Sequence, residues 1–101
     1  MEKRLKLSEM LHEVFPSKNI YFQPPQNKHM SYPCIVYEFA NYNTTFADNK
    51  PYQINRQFRF TYIDTNPDTD MPDKLINLPN TIGERAYISD NLYHYPFRIT
   101  L

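Results

Sequence analysis

The sequence predicts a small α+β domain, with a mainly antiparallel sheet of about five strands and two helices packed on one face. Three patterns support this fold class: helical apolar spacing near the N-terminus, runs in which apolar and polar residues alternate, and short polar turns between those runs. The predicted element order is α-β-β-β-α-β-β. Because 101 residues suffice for one core and no second domain, we expect residues 1–101 to form a single unit.

Two helices are predicted from local patterns. The first follows from apolar residues at the i, i+3, i+4, i+7 spacing that puts side chains on one helix face: Leu7, Met10, Leu11 and Val14. Pro16 ends it, because proline lacks the backbone N–H and disfavours helical geometry in the preceding residue. The second helix is short and covers residues 71–77, with Asp70 as its N-cap and a proline and a carboxylate in its first turn.

Strands are predicted at residues 19–23, 33–39, 54–64, 85–88 and 92–101. The third is the clearest, because Phe58, Phe60 and Tyr62 alternate with polar residues, so that one face is buried. The second strand is apolar on both faces, which predicts a position inside the sheet. The expected core comprises Leu11, Val14, Val36, Phe58, Phe60, Tyr62, Leu75, Phe97 and Ile99. Residues 40–53, between the second and third strands, are predicted to form a long loop.

The composition excludes several classes of function. Gly83 is the only glycine, so the glycine-rich phosphate loops of nucleotide enzymes cannot form. Lys+Arg and Asp+Glu are both 11, whereas chains that bind nucleic acid usually carry an excess of basic residues. Cys34 is the only cysteine and lies in an apolar run, which predicts a buried thiol. The charged N-terminus leads into an amphipathic stretch, so we expect no signal peptide, no membrane segment and a soluble cytoplasmic protein.

No set of residues has the spacing of an active site. His12, His29 and His94 fall in different predicted elements, which favours solvated or core-edge histidines over metal ligands. The carboxylates among residues 64–73 lack the glycine and the closing Glu of a calcium loop, so turn and cap roles are favoured. The serines lack the sequence context of a nucleophile elbow. We therefore expect no enzyme activity, no metal site and no cofactor.

The aromatic residues have two interpretations. Phe58, Phe60 and Tyr62 could form a base-stacking platform like that of an RNA-recognition sheet, but they follow the same alternation as the core, which is the favoured interpretation. Nine Tyr and seven Phe exceed the needs of one small core. Some tyrosines are therefore expected at the surface or at subunit contacts, where they supply apolar area with a polar tip. This favours an interaction protein.

Four stretches of the chain together resemble one protein family. They are Tyr32-Pro33-Cys34-Ile35-Val36-Tyr37-Glu38, Phe46-Ala47-Asp48-Asn49-Lys50-Pro51-Tyr52, Tyr62-Ile63-Asp64 with Asp68 and Met71-Pro72-Asp73-Lys74-Leu75, and Asp90-Asn91-Leu92-Tyr93-His94-Tyr95-Pro96-Phe97. In this order they are similar to the tail terminator (tail-to-head joining) proteins of long-tailed bacteriophages, the siphophages. The resemblance covers residues 16–99 as a series of short matches.

The resemblance implies an α+β subunit that forms a hexameric ring on the last ring of the tail tube. There it would end tube polymerisation and dock the tail to the head. The implied partners are further copies of the chain, the tail tube protein and a head-completion or connector protein, with genomic DNA passing through the lumen without specific binding. The implied location is the neck of the virion, after assembly in the host bacterial cytoplasm. The candidate contact residues are Phe46, Asp48, Asn49, Lys50 and Tyr52.

Two other functions remain open at this point. Another head–tail connector, such as a head-closure or adaptor protein, is the nearest alternative. A small nucleic-acid-binding α+β module is a further alternative, which the zero net charge disfavours.

Overall fold

A computed structural model describes the backbone of residues 2–24, 30–47 and 50–101, and their side chains apart from those of Glu2 and residues 43–54. The α+β class is confirmed, with two helices and a six-stranded sheet where about five strands were predicted. The elements are α1 (Glu2–Val14), β1 (Ile20–Phe22), β2 (Cys34–Ala47), β3 (Lys50–Asp64), α2 (Met71–Leu75), β4 (Thr81–Gly83), β5 (Tyr87–Ser89) and β6 (Leu92–Thr100).

The sheet is mixed, with the strand order β1-β2-β3-β6-β4 and with β5 paired to β6. β1 runs parallel to β2, while every other pair is antiparallel. A parallel neighbour needs a long connection, and residues 23–33 supply one between β1 and β2. The interior position predicted for β2 is confirmed, because this strand lies between β1 and β3. β4 was missed because three residues that include a glycine carry no alternation.

The loop predicted for residues 40–53 is wrong. β2 and β3 continue through this region as one long hairpin, paired from Cys34 and Ile63 down to Ala47 and Lys50, with irregular register at two points. Two features hid the strands from sequence analysis. The segment is polar on both of its faces, so it lacks the apolar alternation of a half-buried strand. It also contains Pro51, which argues against a central strand but is compatible with an unpaired strand edge.

The core lies between one face of the sheet and the two helices. Its buried members are Leu7, Leu11, Phe15, Ile35, Tyr37, Phe58, Phe60, Tyr62, Leu75, Phe97 and Ile99. Seven of the nine predicted core residues are buried, and Val14 is half-buried against the cluster. The prediction was wrong for Val36, which is only half-buried. Its Cα partner is Thr61, so Val36 lies on the face of the sheet opposite to Phe60.

α2 is shorter than predicted and is capped differently. It ends at Leu75, and the side chain of Asp70 makes no capping hydrogen bond. Thr69 takes part of that role, because its Oγ1 accepts the backbone N–H of Met71 at 3.3 Å. Pro72 lies in the first turn as expected, and Leu75 is fully buried. The helix is therefore held mainly by one buried leucine rather than by its cap.

A buried polar pair fixes the end of β3. The Tyr62 hydroxyl donates to Asp64 Oδ2 at 2.6 Å, and Asp64 Oδ1 accepts the backbone N–H of Asn66 at 3.1 Å. Both side chains of the pair are buried. Burial, and then the hydrogen bond to Asp64, raise the pKa of Tyr62 to about 12 from its ordinary value of 10.0. The folded state therefore binds the phenolic proton more tightly than the unfolded chain does.

We expect this pair to make the protein sensitive to alkali. A raised tyrosine pKa contributes stability that is complete below pH 10 and is lost as the pH rises towards 12. The free energy of unfolding should fall by on the order of 2 kcal/mol over that range, as measured by urea denaturation. Tyr62→Phe should flatten this fall and also destabilise the protein at pH 7, because Asp64 loses a donor.

The exposed Tyr87 offers the matched control, since Tyr87→Phe keeps the pair and should keep the full alkaline loss. Burial also raises the pKa of Cys34 to about 11, but this contribution is common to all three proteins and cancels in the comparison. An identical alkaline loss in Tyr62→Phe and the wild type would contradict the prediction.

Candidate assembly surface

The described residues bring no metal-binding set of side chains together. Among them, no three His, Cys, Asp or Glu side chains lie close enough to hold a metal ion. The His12 ring Nδ1 donates to the Ser8 carbonyl at 2.7 Å, and the His94 ring stacks on Tyr87 with centroids 4.7 Å apart. The third, His29, lies outside the described residues.

The single cysteine is a core thiol, as predicted. Cys34 is fully buried. Burial, and then the charge of Asp64, raise the pKa of this thiol to about 11. Since the thiolate is the reactive form, Cys34 is a poor nucleophile at neutral pH.

The base-stacking interpretation of β3 is excluded, because Phe58, Phe60 and Tyr62 are at most 2% exposed. The opposite face of the sheet carries the charges instead. There Arg59 lies 3.1 Å and Arg98 3.5 Å from the Glu84 carboxylate. Two of the chain's arginines are therefore paired within the chain and less available to phosphate groups.

The most distinctive feature is the far half of the β2–β3 hairpin. We call residues 41–55 the arm. β1 pairs with β2 only as far as Tyr37, and β6 meets β3 only from Arg56 onward. Within the described part of the chain, the arm strands thus pair only with each other. The molecule is accordingly elongated, with extents of 49 × 25 × 25 Å.

The predicted contact residues fall at the end of the arm. Phe46 lies on β2, and Lys50 and Tyr52 lie on β3, with Phe46 opposite Pro51 in the register. Their side chains, like the whole of Asp48 and Asn49, lie outside the described residues. These five residues remain candidate contact residues, but the segment that carries them is a hairpin and not the loop that was predicted.

A second surface lies where the arm leaves the core, and we call it the aromatic–arginine corner. It consists of Arg4, Phe22, Phe39, Tyr42, Arg56 and Phe58. The Arg4 guanidinium lies 5.0 Å from the Phe22 ring, and that of Arg56 lies 5.9 Å from Phe39 and 5.8 Å from Tyr42. These distances suit cation–π contacts. Phe22, Phe39 and Tyr42 are each more than a third exposed.

The corner encloses a small cavity of about 160 Å³ between Arg4, Phe22, Phe39, Arg56 and Phe58. Among the described residues, no carboxylate forms an ion pair with either arginine. Exposed aromatic rings beside unpaired arginines have the composition of a protein-interface hot spot. The corner therefore has the chemistry of a contact surface.

The corner was not predicted from the sequence. Phe39 lies opposite Phe58 in the sheet register, but which of these rings the rest of the chain leaves exposed depends on tertiary packing. The surplus of aromatic residues was the available signal. It predicted exposed aromatics without saying which ones, and five are exposed among the described residues: Phe22, Tyr32, Phe39, Tyr42 and Tyr87.

Among the described residues, none of the helices has the length and apolar character needed to cross a membrane. A scan against protein-family models finds no match, and a search of the curated proteins finds no significant similarity.

Proposed function

We propose that this chain is a structural protein of a bacteriophage tail, which caps the tail tube as a ring, ends its polymerisation and docks the tail to the head. The observation that carries the proposal is the arm. A two-stranded ribbon is marginally stable in water, and it presents unpaired backbone groups along both edges. Such a ribbon is expected to be covered by another molecule in the working state.

The arm is suited to contacts between subunits. It is long, because β2 and β3 have 14 and 15 residues and only their inner halves lie against other strands. At about 3.3 Å per residue, its seven or so residues per strand extend about 20 Å beyond the sheet. A projection of that length can reach across a neighbouring subunit. The aromatic–arginine corner at its base supplies a second contact surface.

The sequence resemblance supplies the particular assembly. In this proposal the partners are further copies of the chain, in a hexameric ring, together with the tail tube protein and a head-completion or connector protein. The ring lies at the neck of the virion after assembly in the bacterial cytoplasm, and genomic DNA passes through its lumen without specific binding. The chain is neither an enzyme nor a cofactor carrier.

The second candidate is another head–tail connector, a head-closure or adaptor protein. The same arm and corner favour it, since any ring-forming neck protein needs contacts between subunits. A nucleic-acid-binding module is less well supported, because the net charge is zero and Arg59 and Arg98 are paired with Glu84.

The test is a tube-growth assay. Tail tube protein from the same phage is polymerised in vitro with increasing amounts of this chain, and tube lengths are measured by electron microscopy. We expect tubes to shorten as the ratio of chain to tube protein rises, because capped ends cannot add subunits. Tubes of unchanged length at a molar excess of the chain would contradict the tail terminator function and favour the connector alternative.

A further inference from the structure

Two exposed surfaces lie at opposite ends of the sheet. The corner lies around Arg56, where β3 passes from the arm into the core, and near β1, which forms one edge of the sheet. The second surface consists of β5 and the turn residues Asp90 and Asn91, and we call it the β5 hairpin. β5 pairs with β6, and β6 separates it from the Asp64 end of β3. The two surfaces are therefore separated by eight residues along β3, about 26 Å, and by the width of the sheet between them.

The β5 hairpin is exposed along its whole length. All three residues of β5 are exposed, and Ile88 is 66% exposed. Asp90 and Asn91 have φ angles of 53° and 62°, the left-handed pair that closes a tight two-residue turn. The stacking of Tyr87 on the His94 ring, at 4.7 Å and 11°, holds the strand against β6. The hairpin thus presents Ile88 and Asp90 from a well-braced position.

The Asp90 carboxylate, which has no ion-pair partner among the described residues, distinguishes the β5 hairpin from the neighbouring strand β4. Two isoleucines on this side of the sheet are about two-thirds exposed, Ile82 and Ile88, and each has an acidic residue two positions later. After Ile82 that residue is Glu84, which is already paired with Arg59 and Arg98. After Ile88 it is Asp90, which forms no ion pair with any described residue.

The corner has the complementary chemistry. Its cavity of about 160 Å³ is below the range of about 300–1,000 Å³ typical of small-molecule sites, and it suits a single side chain. Phe22, Phe39 and Phe58 make its walls apolar, while Arg4 and Arg56 lack carboxylate partners among the described residues. An apolar side chain followed by a carboxylate satisfies both requirements.

We propose that the β5 hairpin of one copy docks into the aromatic–arginine corner of the next copy, with Ile88 against the phenylalanine rings and Asp90 paired with Arg4 or Arg56. The contact rests on the proposed function as a self-assembling protein and names the surfaces used. Because the two surfaces are different and lie at opposite ends, the contact is heterologous. Repetition of a heterologous contact closes into a ring or extends into a filament.

The test uses two variants that each remove one surface. Arg56→Glu reverses the charge of the corner, and Ile88→Asp removes the apolar anchor of the hairpin. Sedimentation velocity should show that each variant alone has lost assembly, with the dissociation constant raised at least about tenfold. Mixed together, they should form 1:1 dimers and nothing larger. In that mixture the intact hairpin of the Arg56→Glu variant meets the intact corner of the Ile88→Asp variant. The altered corner and the altered hairpin both carry added negative charge and repel each other.

Two control variants change residues of the same types outside the proposed contact. Ile82→Asp changes an isoleucine as exposed as Ile88, and Arg85→Glu reverses an exposed arginine outside the corner. Both should assemble like the wild type. Thermal melting by circular dichroism checks that every variant folds. If Arg56→Glu does not fold, Arg4→Glu replaces it, because a carboxylate in the first turn of α1 suits the helix dipole.

The outcomes separate this contact from the proposed function. Wild-type assembly by both single variants, or a mixture that stays monomeric while the wild type assembles, would overturn the contact. A wild type that remains monomeric at millimolar concentration would also overturn it. Rings that need both surfaces but do not shorten tail tubes would uphold the contact and contradict the tail function.

Discussion

Phe60→Ala is expected to remove on the order of 3–5 kcal/mol from the free energy of unfolding, a large part of the stability of a domain this small. Phe60 is fully buried in the middle of the sheet, and its ring stacks on Phe97 with centroids 5.1 Å apart. The Phe97 ring cannot readily move to fill the space, because it belongs to β6, which is paired on both sides. The melting temperature should fall by more than about 12 °C.

Phe39→Ala is the matched control. It removes the same atoms from the same sheet, but this ring is 36% exposed and lies outside the buried cluster. Its cost should be less than half that of Phe60→Ala in the same denaturation experiment. Equal costs would mean that the middle of the sheet and its arm end are not packed as described. A melting temperature of Phe60→Ala within two degrees of the wild type would contradict the packing of β3 altogether.

Removal of the arm is expected to abolish assembly while leaving the domain folded. In the variant, an Asn-Gly turn replaces residues 43–55, so that Tyr42 stays opposite Arg56 as in the native register and both of these corner residues are kept. The buried cluster lies entirely outside the deleted segment, so the melting temperature should change little. Size-exclusion chromatography with light scattering should give a monomer where the wild type gives a ring.

A finer variant keeps the arm and changes only its two aromatic residues. Phe46→Ser with Tyr52→Ser should leave folding near normal and remove assembly, because an apolar anchor surrounded by polar groups is the usual centre of a contact. Full assembly of this double variant would remove Phe46 and Tyr52 from the interface. Full assembly of the arm-deleted protein would contradict the role of the arm as a whole.

The fold could be predicted from the sequence where burial is one-sided. Helix α1 and strands β3 and β6 each bury one face against the core, so their apolar residues recur with the period of the element. The parallel pairing of β1 could not be predicted, because the three residues of a short strand carry no signal of the direction in which it pairs. The arm was missed because its sequence lacks the regular apolar alternation by which a half-buried strand is recognised.

The candidate surface was predictable only in part. Composition indicated surplus aromatic residues and hence contacts, but the corner depends on which apolar side chains the helices leave uncovered. Phe39 and Phe58 are Cα partners, yet one is exposed and the other is buried. That difference depends on what packs over each ring, which is a property of tertiary packing. Likewise, only the structure separates the paired Glu84 from the unpaired Asp90.

The most direct test of the account is to locate the chain on tail tubes. Purified protein with a gold-labelled tag is mixed with assembled tail tubes from the proposed parent phage and imaged by negative-stain electron microscopy. We predict label at one end of each tube, in a ring whose outer diameter matches the tube, and no label along the sides. Label scattered along the tubes, or tubes without any label at saturating protein, would contradict the account.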